Sequence, residues 1–358
     1  MAKKPTRKTL PENLDELLEA ADASGDYGTA HAALDECLPD ARGGYSKGTL
    51  LMNGGCTIEL ARWAIARGTN VNAGDTYGDT PLHASARARY RHKLAPAQLI
   101  ELGADVHRAN SSGLTPLHSA ADGKHIDAVR VLLEHGVDVN SRDRQEHTPL
   151  EYALQRMSNI DLTAMVPVAQ ALLDAGATVS PEAQEFVKRA AETFEFHRAR
   201  FAADKVEETA AASHQLCAMF GVEPPARRVM HDGKSPIVTK AKTIGARHKE
   251  LWDSLVPSRG ACETLQGEVI RISGRIPDEW YRNGGANWDQ DYAAMAQAFL
   301  GYVSSHHSLP TTDIAACKQV IHNLKRDPDS SERLMDWAVQ WVELNSQPIA
   351  LPPPAYKR

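Results

Sequence analysis

The chain has 358 residues, of which 42% are apolar and 24% charged, a balance typical of soluble globular proteins. It excludes a collagenous, wholly disordered or disulfide-framework protein, and a length near two ordinary domains sets the scale of the search. Forty Lys and Arg against 46 Asp and Glu leave a formal charge of -6, so no nucleic-acid partner is expected from the total.

Cys37, Cys56, Cys217, Cys262 and Cys317 are scattered, with no CxxC spacing, which fits reduced, buried thiols in a reducing compartment. The charged start Lys3-Lys4-Pro5-Thr6-Arg7-Lys8 runs into Pro11-Glu12-Asn13, not into an apolar signal core. No stretch of about 18 apolar residues occurs, so neither a membrane span nor a membrane partner is expected. A cytoplasmic location follows as an expectation.

In chain order, Leu14 to Ala21 and Ala30 to Leu38 read as a helical pair, a degenerate opening unit. A short unit, Thr49 to Gly68, carries Gly54-Gly55 where a first helix would end. Then a phrase recurs: Thr80-Pro81-Leu82-His83, Thr115-Pro116-Leu117-His118 and Thr148-Pro149-Leu150-Glu151 start 35 and 33 residues apart. A second phrase keeps the same period out of phase: Gly68-Thr69-Asn70-Val71, Gly103-Ala104-Asp105-Val106, Gly136-Val137-Asp138-Val139 and Gly176-Ala177-Thr178-Val179. Two landmarks on one period predict stacked repeats.

Thr115 is placed to cap a helix whose first position, Pro116, has no N–H to leave unbonded. Ile126, Val129, Leu132 and Leu133 share one face of a second helix, and Gly136 supplies the left-handed residue that ends it. One such hairpin cannot bury its apolar stripe alone, so neighbours must stack. The unit from Thr148 has about seven extra residues near Met157 to Val166, which should lengthen a helix or its loop.

These phrases resemble the ankyrin repeat. The resemblance implies about five units over residues 12–180, with His83 and His118 tying adjacent turns through imidazole hydrogen bonds. It also implies a protein partner held on a concave wall. In this sequence the turn tips would offer Tyr77, Arg108, Asn110, Arg142 and Arg144, and the inner helices Arg87, Arg89, Asp122 and Lys124. That set suits an acidic, hydrogen-bonding partner.

Beyond the repeats, Phe186, Ala190 and Phe194 repeat at helical spacing, so residues 181–220 read as capping helices. Residues 221–249 hold Pro224-Pro225, Asp232-Gly233 and a crowd of cations (Arg227, Arg228, Lys234, Lys240, Lys242, Arg247, Lys249). They read as a basic linker, either solvated or an arm drawn to nucleic acid or an acidic partner. Residues 250–345 carry four apolar stripes, led by Leu265, Tyr292, Ile314 and Leu334, and read as a helical bundle. Residues 346–358 are Pro-rich and expected to be extended. The predicted fold is thus all-α: an ankyrin solenoid, capping helices and a small C-terminal bundle.

The bundle holds an unusual polar cluster: Gln266, Glu268, Arg271, Glu279, Arg282, Asn287 and Asp289. Thr264, Glu268, Arg271 and Arg275 would share a face opposite the apolar stripe. Either Glu268 and Glu279 are an acid–base pair with Arg271 and Arg282 holding an anion, or Glu268 and Arg271 are an ion pair and Asn287 or Asp289 a helix cap. The stretch from Leu255-Val256-Pro257 to Asn287-Trp288-Asp289 is similar to uncharacterised bacterial proteins, which implies a bacterial source and no activity.

No HExxH, HxxxH, Walker, GxSxG or dinucleotide motif occurs, so no catalytic residue, metal or cofactor is assigned. Two functions are expected on this basis. One is a non-enzymatic binding scaffold, in its sharper form a bacterial immunity protein that neutralises a toxin. The other is an enzyme or nucleotide-binding domain at the C-terminus, targeted by the repeats.

Overall fold

The computed structural model describes residues 5–88, 92–198, 201–202, 204–259, 261–354 and 356–357. The chain divides into two compact units, residues 1–194 with 201–225 and residues 195–200 with 226–358.

In the first unit, helical pairs follow one another: α1 (Leu14–Ser24) with α2 (Gly28–Asp35), then a 3-10 turn (Leu50–Met52) with α3 (Ile58–Ala66). Next come α4 (Pro81–Arg87) with α5 (Pro96–Glu101), α6 (Pro116–Asp122) with α7 (Ile126–Glu134), and α8 (Pro149–Arg156) with α9 (Leu162–Asp174). From the 3-10 turn onward the first member of each pair packs on the first member of the next, so α4, α6 and α8 form one row; α5, α7 and α9 form the other. Leu82, Ala86, Leu117, Ala120, Leu150 and Ala153 are buried in the inner row, and Leu99, Val129, Leu132 and Leu172 in the outer. All join one continuous core, the outcome required of hairpins that cannot shield themselves.

The capping phrase works as a two-way lock. Thr80, Thr115 and Thr148 are the N-caps of α4, α6 and α8, and the residue three places on returns a bond to each cap's own N–H. Thr80 N donates to His83 Nδ1 (3.2 Å) and Thr115 N to His118 Nδ1 (3.1 Å). The far nitrogens reach the next repeat, His83 Nε2 to Leu114 O (2.9 Å) and His118 Nε2 to His147 O (3.1 Å). An acceptor at Nδ1 and a donor at Nε2 define a neutral imidazole. In the third phrase Glu151 replaces the histidine, accepting from Thr148 N at 2.8 Å.

This arrangement predicts an acid-sensitive fold. Burial, partly offset by the carbonyl bonds, lowers the pKa of both His83 and His118. A base whose folded pKa lies below its unfolded value contributes stability that is complete above about pH 6.5 and is lost as pH falls through the folded pKa. Each histidine contributes a slope approaching about 1.4 kcal/mol per pH unit in that window. Urea midpoints measured from pH 7.5 to 5 should therefore fall, and fall less steeply when His83 and His118 are replaced by Gln.

The fifth pair absorbs its extra residues twice. Residues 157–161 widen the loop, and α9 runs 13 residues against 9 in α7. Then α10 (Pro181–His197) and α11 (Val206–Met219) follow. Ala183, Val187, Ala190 and Phe194 of α10 are buried in the same core, Phe186 is half-buried against it, and α11 packs on α9.

The N-terminal region departs from expectation. The second opening helix stops at Asp35, and Cys37–Arg42 is a strand, β2, paired parallel with β1 (Arg7–Thr9). Leu38 therefore lies in a strand, not in a helix. The pairing is tertiary, between segments 30 residues apart, so no local periodicity announces it.

The second unit is built on α13 (Leu265–Asn283), which packs on α12 (Ile244–Leu255), α14 (Gln290–Val303) and α16 (Arg333–Leu344); α15 (Thr311–Asn323) packs on α14 and α16. All four apolar stripes enter its core, with Ile314 at the margin. The expected linker over 221–249 is shorter than its composition suggests. Helix α12 already starts at Ile244, Ile237 is buried, and Arg228 is a half-buried cap, not part of a free basic arm. Arg228 donates to Asp253 O (2.6 Å), Phe196 O (2.8 Å), Trp252 O (3.3 Å) and Val256 O, with its guanidinium 4.1 Å from the centre of the Phe196 ring. These carbonyls lie at the ends of α10 and α12, where a helix runs short of N–H partners, and Trp252 O also accepts from Val256 N at 3.1 Å. Among the described residues the tail after Leu344 forms no helix, and it returns along α13, where Leu265 N donates to Ile349 O at 2.7 Å.

Candidate interaction surface

Between an outer helix and the next inner helix the chain makes a projecting finger, fastened by one carboxylate or amide. Asp75 Oδ1 accepts from Tyr77 N (2.8 Å) and Asp79 N (3.0 Å), and Asn110 Oδ1 from Ser112 N (2.9 Å) and Leu114 N (3.0 Å). Asp143 Oδ1 does the same for Gln145 N (2.8 Å) and His147 N (2.9 Å). Asx turns of this kind let the chain reverse within a few residues. Each fastener stands five residues ahead of its capping threonine, a periodic signal present in the sequence that points to turn chemistry.

Backbone bonds join the fingers into a ribbon. Thr76 N donates to Ser46 O (2.9 Å), Ser111 N to Tyr77 O (2.9 Å) and Arg144 N to Ser112 O (3.0 Å). The close approach explains the glycines: a Cβ on Gly78 would lie 2.8 Å from Ser111 N and one on Gly113 2.9 Å from Arg144 N, at φ of +80° and +81°. The ribbon displays Tyr45, 93% exposed, and Tyr77, 53% exposed, on consecutive fingers, with Arg144 exposed on the last. Tyr45 escaped the sequence reading because its finger precedes Thr49-Leu50-Leu51-Met52, which lacks the repeat phrase.

The inner helices carry a polar ladder. Arg87 reaches Asp79 (3.4 Å), Ser119 Oγ (3.2 Å) and, at 4.0 Å, Asp122; Asp122 accepts from Arg156 Nε at 3.0 Å. The Arg156 guanidinium lies 5.3 Å from the centre of the Tyr152 ring. The structure therefore brings Arg87 and Asp122 together with Asp79, Tyr152 and Arg156, three residues the sequence reading did not select.

Other expected contacts are placed differently. Asn110 is a turn fastener that also donates to Asp79 Oδ1 (2.6 Å), so it holds its finger and is half-buried. Lys124 follows the end of α6, at φ +52°, and its ammonium is 3.8 Å from Asp161. It is a loop residue, because α6 ends at Asp122. Arg89 lies outside the described residues. Arg108 and Arg142 are exposed on finger arms, and Arg142 Nη1 donates to Glu146 O.

In the second unit the polar face of α13 turns inward. Glu268 is fully buried and Arg271 only 4% exposed, joined at 2.5 and 2.8 Å, and Tyr356 donates to Glu268 Oε1 at 2.6 Å. Gln266 clamps the tail, donating to Asn345 O and Gln347 O (both 2.7 Å) and accepting from Ile349 N (3.1 Å). Glu279, three turns on and about 16 Å along the axis, serves the loop after α13. It accepts from Asn287 N (2.7 Å), Asn283 Nδ2 (3.0 Å) and Asn287 Nδ2 (3.2 Å). Burial pushes its pKa up, but these bonds outweigh burial and hold it below the usual carboxylate value. Asp289 caps α14 by accepting from Tyr292 N, and Arg282 is on the surface, 2.7 Å from Asp278. The acid–base pairing of Glu268 with Glu279 is therefore not made, and neither is an anion clamp of Arg271 with Arg282.

All five thiols are buried and free. Among the described residues, no three His, Cys, Asp or Glu side chains gather to hold a metal ion, and no helix is long and apolar enough to cross a membrane.

The family model for ankyrin repeats (three copies) matches residues 51–143 and 93–182. Residues 51–182 are ankyrin repeats. The chain is 38% identical over 137 residues to a putative ankyrin repeat protein of Fowlpox virus (strain NVSL), covering 30% of this chain and 20% of that one. It is 30% identical over 125 residues to ankyrin repeat and SOCS box protein 16 of Mus musculus, covering 33% and 28%. It is 32% identical over 87 residues to the NF-kappa-B inhibitor cactus of Drosophila yakuba, covering 23% and 18%. The chain thus spans less than a third of the length of each of these relatives.

Proposed function

We propose that this ankyrin protein is a non-enzymatic scaffold that grips an acidic protein partner across its fingertips and inner helices. The observation that carries this reading is the ribbon of fingers joined by backbone bonds, which presents Tyr45, Tyr77, Arg108, Arg142 and Arg144 along one row. Aromatic and arginine side chains are the groups that dominate protein interfaces, and a backbone already ordered lowers the cost of presenting them. The ladder of Arg87, Asp122 and Arg156 extends the same surface with polar groups already paired to one another. It therefore adds specificity more than affinity.

A sharper form is inhibition: a cytoplasmic bacterial immunity protein that covers a toxin. The cactus relative, named as an NF-kappa-B inhibitor, supports only the general idea that such repeats can restrain another protein. Growth rescue tests the sharper form. Co-expression of this chain should protect a cell that makes the toxin encoded beside its gene, and a lack of any such toxic neighbour removes the proposal.

The surface has its own test. Arg142→Glu with Arg144→Glu should weaken partner affinity by well over tenfold, a loss exceeding about 1.4 kcal/mol, as read by calorimetry. Because Arg142 also bonds its own finger, Arg144→Glu alone should give a smaller loss in the same direction with an unchanged melting temperature. Equal affinity in both variants excludes the fingertips.

A further inference from the structure

A cleft of about 430 Å³ opens in the first unit, between the turn leading from β1 into α1 and the first finger. That volume lies in the range of small-molecule sites. Leu10, Leu14 and Met52 give it an apolar lining. Its charges divide by segment: Glu12 and Asp15 come from residues 9–15, Arg42 and Lys47 from residues 42–49.

These four charges do not neutralise one another. Arg42 is held by Nη1, which donates to Gly74 O (2.6 Å) and Lys47 O (3.0 Å), and among the described residues its Nε and Nη2 have no partner. Asp15 accepts only the amide of Asn53 (2.7 Å), and neither Glu12 nor Lys47 forms an ion pair among the described residues. Thr49, 2% exposed, also lines the cleft, and its hydroxyl has no hydrogen-bond partner among the described residues.

We propose that this cleft binds a small zwitterion, a free α-amino acid or dipeptide with an aliphatic side chain. The ligand carboxylate meets Arg42 and Lys47, its ammonium meets Glu12 and Asp15, and its side chain lies on Leu10, Leu14 and Met52. Two charge-assisted contacts of opposite sign select against molecules that carry only one of the charges. The cleft borders the first finger, which also carries Tyr45, but the proposal does not rest on the scaffold reading.

Calorimetry on the full chain with leucyl-alanine tests it, with N-acetyl-leucyl-alanine and leucyl-alanine amide as arms. Binding of leucyl-alanine, weakened about tenfold or more by blocking either end, is the expected result. Glu12→Gln and Lys47→Gln should each weaken binding at least about fivefold with an unchanged melting temperature, since both side chains are exposed. No heat of binding up to about 10 mM overturns the proposal, as does equal affinity for the blocked dipeptides or for the two variants.

Discussion

Gly123→Ala should lower the stability of the first unit by about 3 kcal/mol, at the upper end of what overpacking does to a core. Gly123 follows α6 at an ordinary φ of -70°, so conformational freedom is not why glycine is there. A Cβ would sit 2.3 Å from Arg87 O, 2.9 Å from Arg87 C and 3.0 Å from Arg87 Cα. These are backbone atoms at the end of α4, and no rotamer change moves them aside. The two helices must part, and parting them loosens Leu82 and Ala86 from Leu117 and Ala120, stretches Arg87–Ser119, and strains His125 Nδ1 to Ala86 O (3.2 Å). The control is Gly136→Ala. Gly136 has φ +69° but open space around it, so an alanine there meets only the left-handed backbone strain of about 1–2 kcal/mol. Urea unfolding followed by circular dichroism should rank Gly123→Ala as clearly the more damaging, with a melting temperature about 6–12 °C below wild type. The reverse order would mean that the repeats do not pack as tightly as Gly123 requires.

That ranking shows what a sequence discloses. The capping threonines and the ending glycines are legible because each repeats with the period of the stack, and repetition converts weak local preferences into a pattern; the imidazole ties follow from the ankyrin resemblance. Asp75, Asn110 and Asp143 obey the same period, so their fastening role was available to a reading that asked what the turn needs. The ankyrin resemblance makes Asn110 a partner contact, whereas its side chain is spent on its own turn. Where pairing is tertiary, the pattern fails. The strand Cys37–Arg42 is decided by Arg7–Thr9, and the place of Arg228 by the carbonyls of Phe196 and of Trp252 to Val256. Nothing in the surrounding prolines and lysines records either. The polar face of α13 misleads for a related reason: helical periodicity reports which residues share a side, not whether another segment covers it. The cover here includes Tyr356, separated by 88 residues from the Glu268 it bonds.

Glu268→Ala should therefore destabilise the second unit by about 3–5 kcal/mol, the range found when one member of a buried ion pair is removed. Arg271, almost wholly buried, would keep its charge without the carboxylate that holds two of its nitrogens, and the Tyr356 hydroxyl would lose its acceptor. The double variant Glu268→Leu with Arg271→Met should recover most of the loss, because the desolvation of both charges disappears together with their attraction. Tyr356→Phe should lose about 1.5–3 kcal/mol, a single hydrogen bond to a charged group. Tryptophan fluorescence isolates the relevant transition, since Trp252, Trp280, Trp288, Trp337 and Trp341 lie in this unit and only Trp63 in the other. The order of the three variants distinguishes the two roles offered for this cluster. A catalytic Glu268 must be reachable, and truncating a reachable carboxylate leaves no buried charge, so the single variant would cost little and the double variant would restore nothing. A deep loss in the single variant with recovery in the double identifies the pair as an internal fastening of α13, sealed by the returning tail.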